Sequence, residues 1–190
     1  MSRRRVLGPL VASAAVVLGP TMVGRAQAAT AVEAGDTRAV CRFETHETTT
    51  EGGNWVTPGH ARNETLQPGT IDCLGTVAGR QLAEHSGTIS YWYIGGTQPP
   101  GSTVGGENCV AWGGHGELTV SLPLADGSLM TLVGKFTARG LGMAGLTLGR
   151  LGNTEFVALA EFRPEPDHLD EDCVRKPLNH FIADAEMLIR

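Results

Sequence analysis

Residues 116–140 read GELTVSLPLADGSLMTLVGKFTARG, and the spacing of their apolar residues decides the fold class. Leu118, Val120, Leu122 and Leu124 alternate with Glu117, Thr119, Ser121 and Pro123, the period-2 pattern of a strand with one buried face. Asp126-Gly127 ends that strand. With Ala125, Asp126 and Gly127 as a three-residue loop and Gly127 in the left-handed region, Leu122 falls opposite Met130, Val120 opposite Leu132 and Leu118 opposite Gly134. Both apolar sets then share one face. A two-residue Asp-Gly loop sets Leu122 opposite Thr131 and Leu118 opposite Lys135, and a one-residue slip turns a whole strand over, so burial favours the longer loop.

Downstream, GMAGLTLGRLGN after Leu141 is a second candidate strand closing on Gly152-Asn153, and TEFVALAEF is its hairpin partner, with Phe156, Ala158, Ala160 and Phe162 on one side. No interval here is long enough for a crossover helix, so the strands form an antiparallel meander. Upstream, Ala39, Cys41 and Phe43 alternate with Arg42 and Glu44, giving a first strand that fades at Thr48 to Thr50. Glu51 to Gly69 reads as a long loop from its glycine, proline and asparagine content. Asn63-Glu64-Thr65 within it fits a glycosylation acceptor, a pattern without meaning in a bacterial host.

Ile71 to Val77 and Thr88 to Ile94 are two further strands, Gly95 to Gly106 is a loop, and Asn108 to Trp112 is a short strand before Gly113-Gly114. The expected fold is all-β: an antiparallel meander closing into a small barrel of about eight strands, with a sandwich as the alternative. PEPDHLDEDCVRKP fits one or two helical turns, with Asp167 as N-cap and Pro177 as terminator. Phe181 to Ile189 fits a closing strand better than a helix, because a barrel needs its last strand paired.

The N-terminus reads as a processing segment. Arg3, Arg4 and Arg5 precede an apolar run from Val6 to Val23, and Ala26-Gln27-Ala28 is a small-x-small cleavage site, so residues 1–28 are expected to be a signal peptide and 29–190 a single domain. Ser2-Arg3-Arg4-Arg5-Val6-Leu7 also resembles a twin-arginine export signal. Removal of that segment leaves 11 basic against 20 acidic side chains, a net charge of −9. Such a balance disfavours nucleic acid and anionic membrane surfaces as partners.

Four cysteines, Cys41, Cys73, Cys109 and Cys173, with no CxxC spacing, read in an exported chain as two disulfides among three connectivities. Cys41 with Cys73 is favoured because each occupies a similar place in the first two strands. Cys109 with Cys173 then ties the entry of the meander to its exit.

Chemistry is sparse. Gly140, Gly142 and Gly145 fit GxGxxG, but Leu146-Thr147-Leu148 continues as a strand where a dinucleotide fold needs a helix. There is no GxSxG, HExxH or P-loop motif, and His46, His60, His85, His115, His168 and His180 include no helical i, i+4 pair. Glu165, Asp167, Asp170, Glu171 and Asp172 lack the ligand alternation and bend glycine of a calcium loop. No metal or cofactor is expected. Tyr91-Trp92-Tyr93 places two phenols on one strand face, and His115 lies between glycines, so Tyr91, Tyr93 and His115 are the candidate ligand-binding residues.

The cysteine-ended strand Gly69 to Cys73, the GTIS strand, the hairpin about DGS and the late cysteine before a terminal strand together resemble small secreted β-rich proteins of high-GC Gram-positive bacteria. That likeness implies a compartment and a fold. A second likeness, from the glycine-rich strands alone, is to the allene oxide cyclase and dirigent type of barrel, and it carries across no catalytic residue. Two functions follow as expectations: a non-enzymatic module that binds a small molecule, a glycan or a protein, or a small cyclase, isomerase or hydrolase with its site in the barrel mouth.

Overall fold

The structure is a computed structural model that describes residues 36–53, 60–96 and 109–190. The expected signal peptide and its cleavage site lie outside the described residues, as do parts of the loops following Gly53 and Gly96. Among the described residues ten strands are formed: β1 (Arg38–Gly52), β2 (Ala61–Thr65), β3 (Gly69–Val77), β4 (Arg80–Gln81), β5 (Gly87–Gly95), β6 (Ala111–Pro123), β7 (Leu129–Leu141), β8 (Ala144–Leu151), β9 (Thr154–Pro164) and β10 (His180–Ile189).

The hairpin read from residues 116–140 has the three-residue register: Leu122 pairs with Met130, Val120 with Leu132 and Leu118 with Gly134. Gly127, at φ 80°, makes the turn. Each strand from β5 to β10 pairs antiparallel with the next, and β10 returns to β1 along ten residue pairs from Ala39–Ile189 to Thr48–His180. β2 and β3 share the remaining place in the ring. Both run antiparallel to β1 and to β5, and Leu66, Gln67 and Pro68 interrupt what is otherwise one strand. The result is an eight-position barrel with β4 outside the ring. A closed ring leaves no unpaired edge to template aggregation.

Four expectations are corrected. β1 does not fade at Thr48 but continues to Gly52, and residues 61–65, read as loop, form β2 with Ala61 and Asn63 turned inward. Their inward set is short and half polar, which hides the alternation. β6 runs straight through Gly113-Gly114. The short helix expected near residues 167–177 is absent, and no helix occurs among the described residues. Cys173 sits at φ 66°, a left-handed conformation that a right-handed helix does not admit. Asp172 folds back to accept the N–H groups of Val174 and Arg175 instead of starting a helical turn. Residues 181–189 are a strand, as expected.

Both disulfides join as expected, Cys41 to Cys73 across the directly paired β1 and β3, and Cys109 to Cys173. The two ends of the barrel differ. At one end Val77, Leu82, Leu122, Leu124, Leu151 and Ile189 are among the side chains that fill the interior. The β3–β5 connection covers that end, with Leu82 bridging to Leu124 and Ala125 N–H donating to Gln81 O. The other end carries the β1–β2, β5–β6, β7–β8 and β9–β10 connections, and here the interior is hollow.

Candidate functional site

The alternation of β1 determines what the hollow half contains. Ala39, Cys41, Phe43, Thr45 and Glu47 all face inward and are buried, so the strand that begins as core ends as a line of polar groups inside the barrel. From β5, Ile89, Tyr91 and Tyr93 face the same space, and Asn63 enters from β2. The cavity has a volume of about 110 Å³ and is walled mainly by apolar side chains, among them Phe43, Leu118, Phe136, Phe156, Ala160 and Met187.

Aromatic rings form a connected lattice along this wall. Tyr91 meets Phe136 edge-on at 6.0 Å, and Tyr93 stacks on Phe136 at 6.4 Å. Tyr93 also meets Trp112 at 6.0 Å, Trp112 meets Phe162 at 5.3 Å, and Phe162 meets Phe181 at 5.8 Å. These are the offset and edge-to-face arrangements that ring quadrupoles favour. Gly140 and Gly145 make the room for Trp112: a Cβ at either would stand 2.1 or 2.2 Å from its ring carbons. The indole N–H donates to the carbonyl of Gly142 at 3.0 Å, fixing the ring. The GxGxxG pattern is therefore a seat for an indole, with Gly142 at φ 57° in the β7–β8 turn.

Three polar side chains converge at the base of this wall. The Tyr91 hydroxyl donates to Glu47 Oε1, the Thr45 hydroxyl lies 3.0 Å from the Tyr91 hydroxyl, and Thr45 also donates to Glu47 Oε1 at 3.4 Å. Beside them the Thr49 hydroxyl donates to Asn63 Oδ1 at 2.8 Å. Burial pushes the Glu47 carboxyl up to about 8, against the lowering pull of the hydrogen bonds from Tyr91 and Thr45. Burial, and after it the proximity of Glu47, pushes the Tyr91 phenol well above its ordinary value. At neutral pH the cavity thus holds a protonated carboxylic acid hydrogen-bonded to a neutral phenol, in apolar surroundings.

Of the candidate ligand-binding residues, Tyr91 and Tyr93 are brought together in the cavity, as rings embedded in a wall and not as an open platform. His115 is not with them. It is exposed on the outer face of β6, where its ring meets the edge of Trp92 at 6.3 Å, and Arg62 lies 5.2 Å over Trp92 on the same side. Glu117, the nearest acid in sequence, pairs instead with Lys135 at 3.5 Å. Sequence reading passed over Glu47, Thr45, Asn63 and Trp112. The signal that finds the first two is the period-2 count carried on from Cys41 and Phe43 into the polar residues. Asn63, the acceptor residue of the glycosylation pattern, is buried and faces away from solvent.

Among the described residues, the β9–β10 connection covers the cavity end. Leu178 and Phe181 pack with Phe162 and with the Cys109–Cys173 bond to close this side of the wall. His46 on β1 holds Glu165 of the same connection at 2.5 Å, and the carbonyl of Asn179 accepts the N–H of Thr49. Within the connection Glu171 is buried, and its Oε2 accepts the N–H groups of Asn179 and His180 at 2.7 and 2.8 Å. Desolvation raises the Glu171 pKa, but the hydrogen bonds from the His180 ring and these two N–H groups together outweigh it and leave the carboxyl below its ordinary value. No family model, curated protein or solved structure matches this chain.

Proposed function

We propose that this protein is an exported carrier barrel that binds a small, largely apolar molecule bearing one uncharged oxygen function, a hydroxyl or a carbonyl. The observation that carries the reading is the buried Glu47, hydrogen-bonded to Tyr91, in a mainly apolar cavity, where burial raises its carboxyl to about 8. Glu47 Oε1 is taken by hydroxyl donors, so the proton of the neutral acid resides on the other oxygen and is a donor for a ligand oxygen. Among the described residues an anionic ligand meets no buried cation here and would have to be desolvated without compensation. The cavity volume of about 110 Å³ is comparable with the engineered apolar cavity of about 150 Å³ that takes up benzene, so the buried part of the ligand is about one ring in size. Export is supported by the basic, apolar and small-x-small succession at the N-terminus and by two disulfides, which persist in oxidising compartments.

Phenol is the probe. In an NMR titration of the protein at neutral pH it is expected to shift the Tyr91, Trp112 and Met143 side-chain signals saturably, while benzoate leaves them unmoved. Ala160→Leu, which fills the cavity from β9, is expected to abolish the phenol shifts. The reading fails if phenol leaves these signals in place, or if it binds equally well in Ala160→Leu. A second reading, a cyclase or isomerase in which Glu47 supplies a proton to a substrate oxygen, is favoured by the same raised carboxyl. It differs in requiring turnover that Glu47→Gln abolishes without loss of binding.

A further inference from the structure

We propose that His168, Glu171 and His180 form a binding site for a divalent transition-metal ion, zinc by preference, on the connection that covers the cavity end of the barrel. His168 and His180 are twelve residues apart in sequence, and two turns followed by a strand bring them together. His168 N–H donates to Glu165 O at 2.9 Å, Glu171 N–H donates to His168 O at 3.0 Å, and His180 is the first residue of β10. Glu171 Oε1 stands 3.1 Å from His168 Nδ1 and 2.8 Å from His180 Nδ1, and the three donor atoms all lie within 4.8 Å of one another. The donors around a tetrahedral zinc ion, bonded at about 2.0–2.1 Å, stand about 3.3 Å apart. An ion among these three atoms replaces two hydrogen bonds, and the two imidazoles must turn out of their stack to aim their in-plane lone pairs at it.

The surroundings bring the donors together. The imidazoles stack at 3.9 Å with planes 19° apart, which sets both Nδ1 atoms beside the same carboxylate oxygen and leaves the rings to splay on binding an ion. Glu171 has its second oxygen fixed by the two backbone N–H groups, so Oε1 alone is turned to the histidines. Coordination through Nδ1 moves the remaining ring proton of His168 to Nε2, where the Asp167 carboxylate stands 3.8 Å away. That is longer than a hydrogen bond, and the exposed Asp167 side chain has to swing in before it orients the ring as a carboxylate behind a ligating histidine does. Backbone on both sides is tied down, by the Cys109–Cys173 bond near Glu171 and by the packing of Leu178 and Phe181 near His180.

Donor chemistry selects the ion. Two imidazole nitrogens and one carboxylate oxygen suit zinc, cobalt or nickel, whereas calcium takes six to eight oxygens and magnesium keeps an octahedral oxygen shell. The acidic run therefore binds a metal through its histidine neighbours and one of its acids, not as a calcium loop. Both histidine side chains are 36% exposed, which leaves a path for entry and a fourth position for water. A bound ion would pin the connection across the cavity end.

The test uses the oxidised, folded protein and two probes, Co²⁺ followed by visible absorbance and Zn²⁺ followed by NMR of the histidine rings. One equivalent of Co²⁺ is expected to give a saturable d–d band that one equivalent of Zn²⁺ removes. His168→Ala and His180→Ala are each expected to weaken Co²⁺ binding by more than the roughly 10–100-fold that loss of an outer partner costs. In the unsubstituted protein, Zn²⁺ is expected to shift the ring signals of His168 and His180 and leave His46, His60, His85 and His115 in place. The ring signals decide the matter even if a variant does not fold. Absence of a saturable band, a band retained in both variants, or Zn²⁺ shifts confined to other histidines overturns the proposal.

Discussion

A carboxyl group buried against a phenol holds its proton far above the range of a solvated acid, and Glu47 does so up to about 8 where an exposed glutamate releases it near 4.5. Between those two values the folded chain carries a proton that the unfolded chain has lost. Stability contributed by this group is therefore fully present below about 4.5, falls as pH rises, and reaches its lower plateau once the native carboxyl ionises near 8. The loss across the window is a few kcal/mol at most, since one pKa unit is worth about 1.4 kcal/mol and neighbours relax around a buried charge. Glu47→Gln keeps the shape and an acceptor for Tyr91 while removing the titration. Urea unfolding between pH 4.5 and pH 8 is expected to flatten in this variant, which becomes more stable than the parent at pH 8. Parallel curves for the two proteins would show that Glu47 does not titrate with folding. The alternation that places Glu47 is plain in the sequence, yet its inward position was hidden because polar residues at period 2 carry no apolar signal.

Among elements, the strands with the clearest apolar alternation were legible, and those whose inward positions are glycine or polar were not. Leu118 to Leu124 and Met130 to Leu132 fixed their own register through the turn at Gly127, and the pairing follows it residue for residue. In β8, by contrast, the inward residues are Gly145, Thr147, Gly149 and Leu151, so leucines 146 and 148 lie on the outside and three of the inward places hold small or polar side chains. The reason becomes visible only with the partner strands present: Trp112 lies over Gly140 and Gly145, and Phe156 over Gly149. A strand's own sequence cannot report the ring that lies across it. Gly140→Ala tests this packing. The added methyl meets Trp112 Cε2 and Cζ2 at 2.1 Å and the carbonyl of Ala144 at 2.4 Å, so the indole must leave its seat and its bond to Gly142. Overpacking of this kind costs about 1–3 kcal/mol. Denaturant unfolding is expected to show a loss of that size together with a changed Trp112 emission, and Trp112→Phe is expected to recover part of it in a double-mutant cycle. An unaffected midpoint would mean that the ring does not occupy this seat in solution.

At the scale of the whole molecule the barrel is closed by β1 and β10, and its two disulfides tie down opposite halves of it. The connectivity was legible because adjacent strands and a meander's two ends are the places where four cysteines can meet. The hollow half was not, since a cavity is what remains when side chains from several strands fail to fill a space, and no single stretch records it. Cys41–Cys73 joins β1 to β3 beside the packed core, whereas Cys109–Cys173 ties the β5–β6 connection to the cover of the cavity. The two bonds span 32 and 64 residues, and the chain-entropy argument grows so slowly with loop length that each is worth about 4 kcal/mol. Loss of either pair to alanine is therefore expected to lower unfolding stability by similar amounts. Their effects on ligand binding should differ. Without Cys109–Cys173 the cover loses its one covalent tie among the described residues, while the packing of Leu178 and Phe181 and the contacts to β1 stay, and apparent affinity falls in proportion to the fraction of molecules that remain closed. If that fraction drops to about one in ten, phenol affinity drops about tenfold. The Cys41→Ala/Cys73→Ala variant, measured at a temperature where it stays folded, is expected to bind phenol as the parent does. Equal affinity losses in both double variants would show that the cover is held by the barrel as a whole and not by its own disulfide.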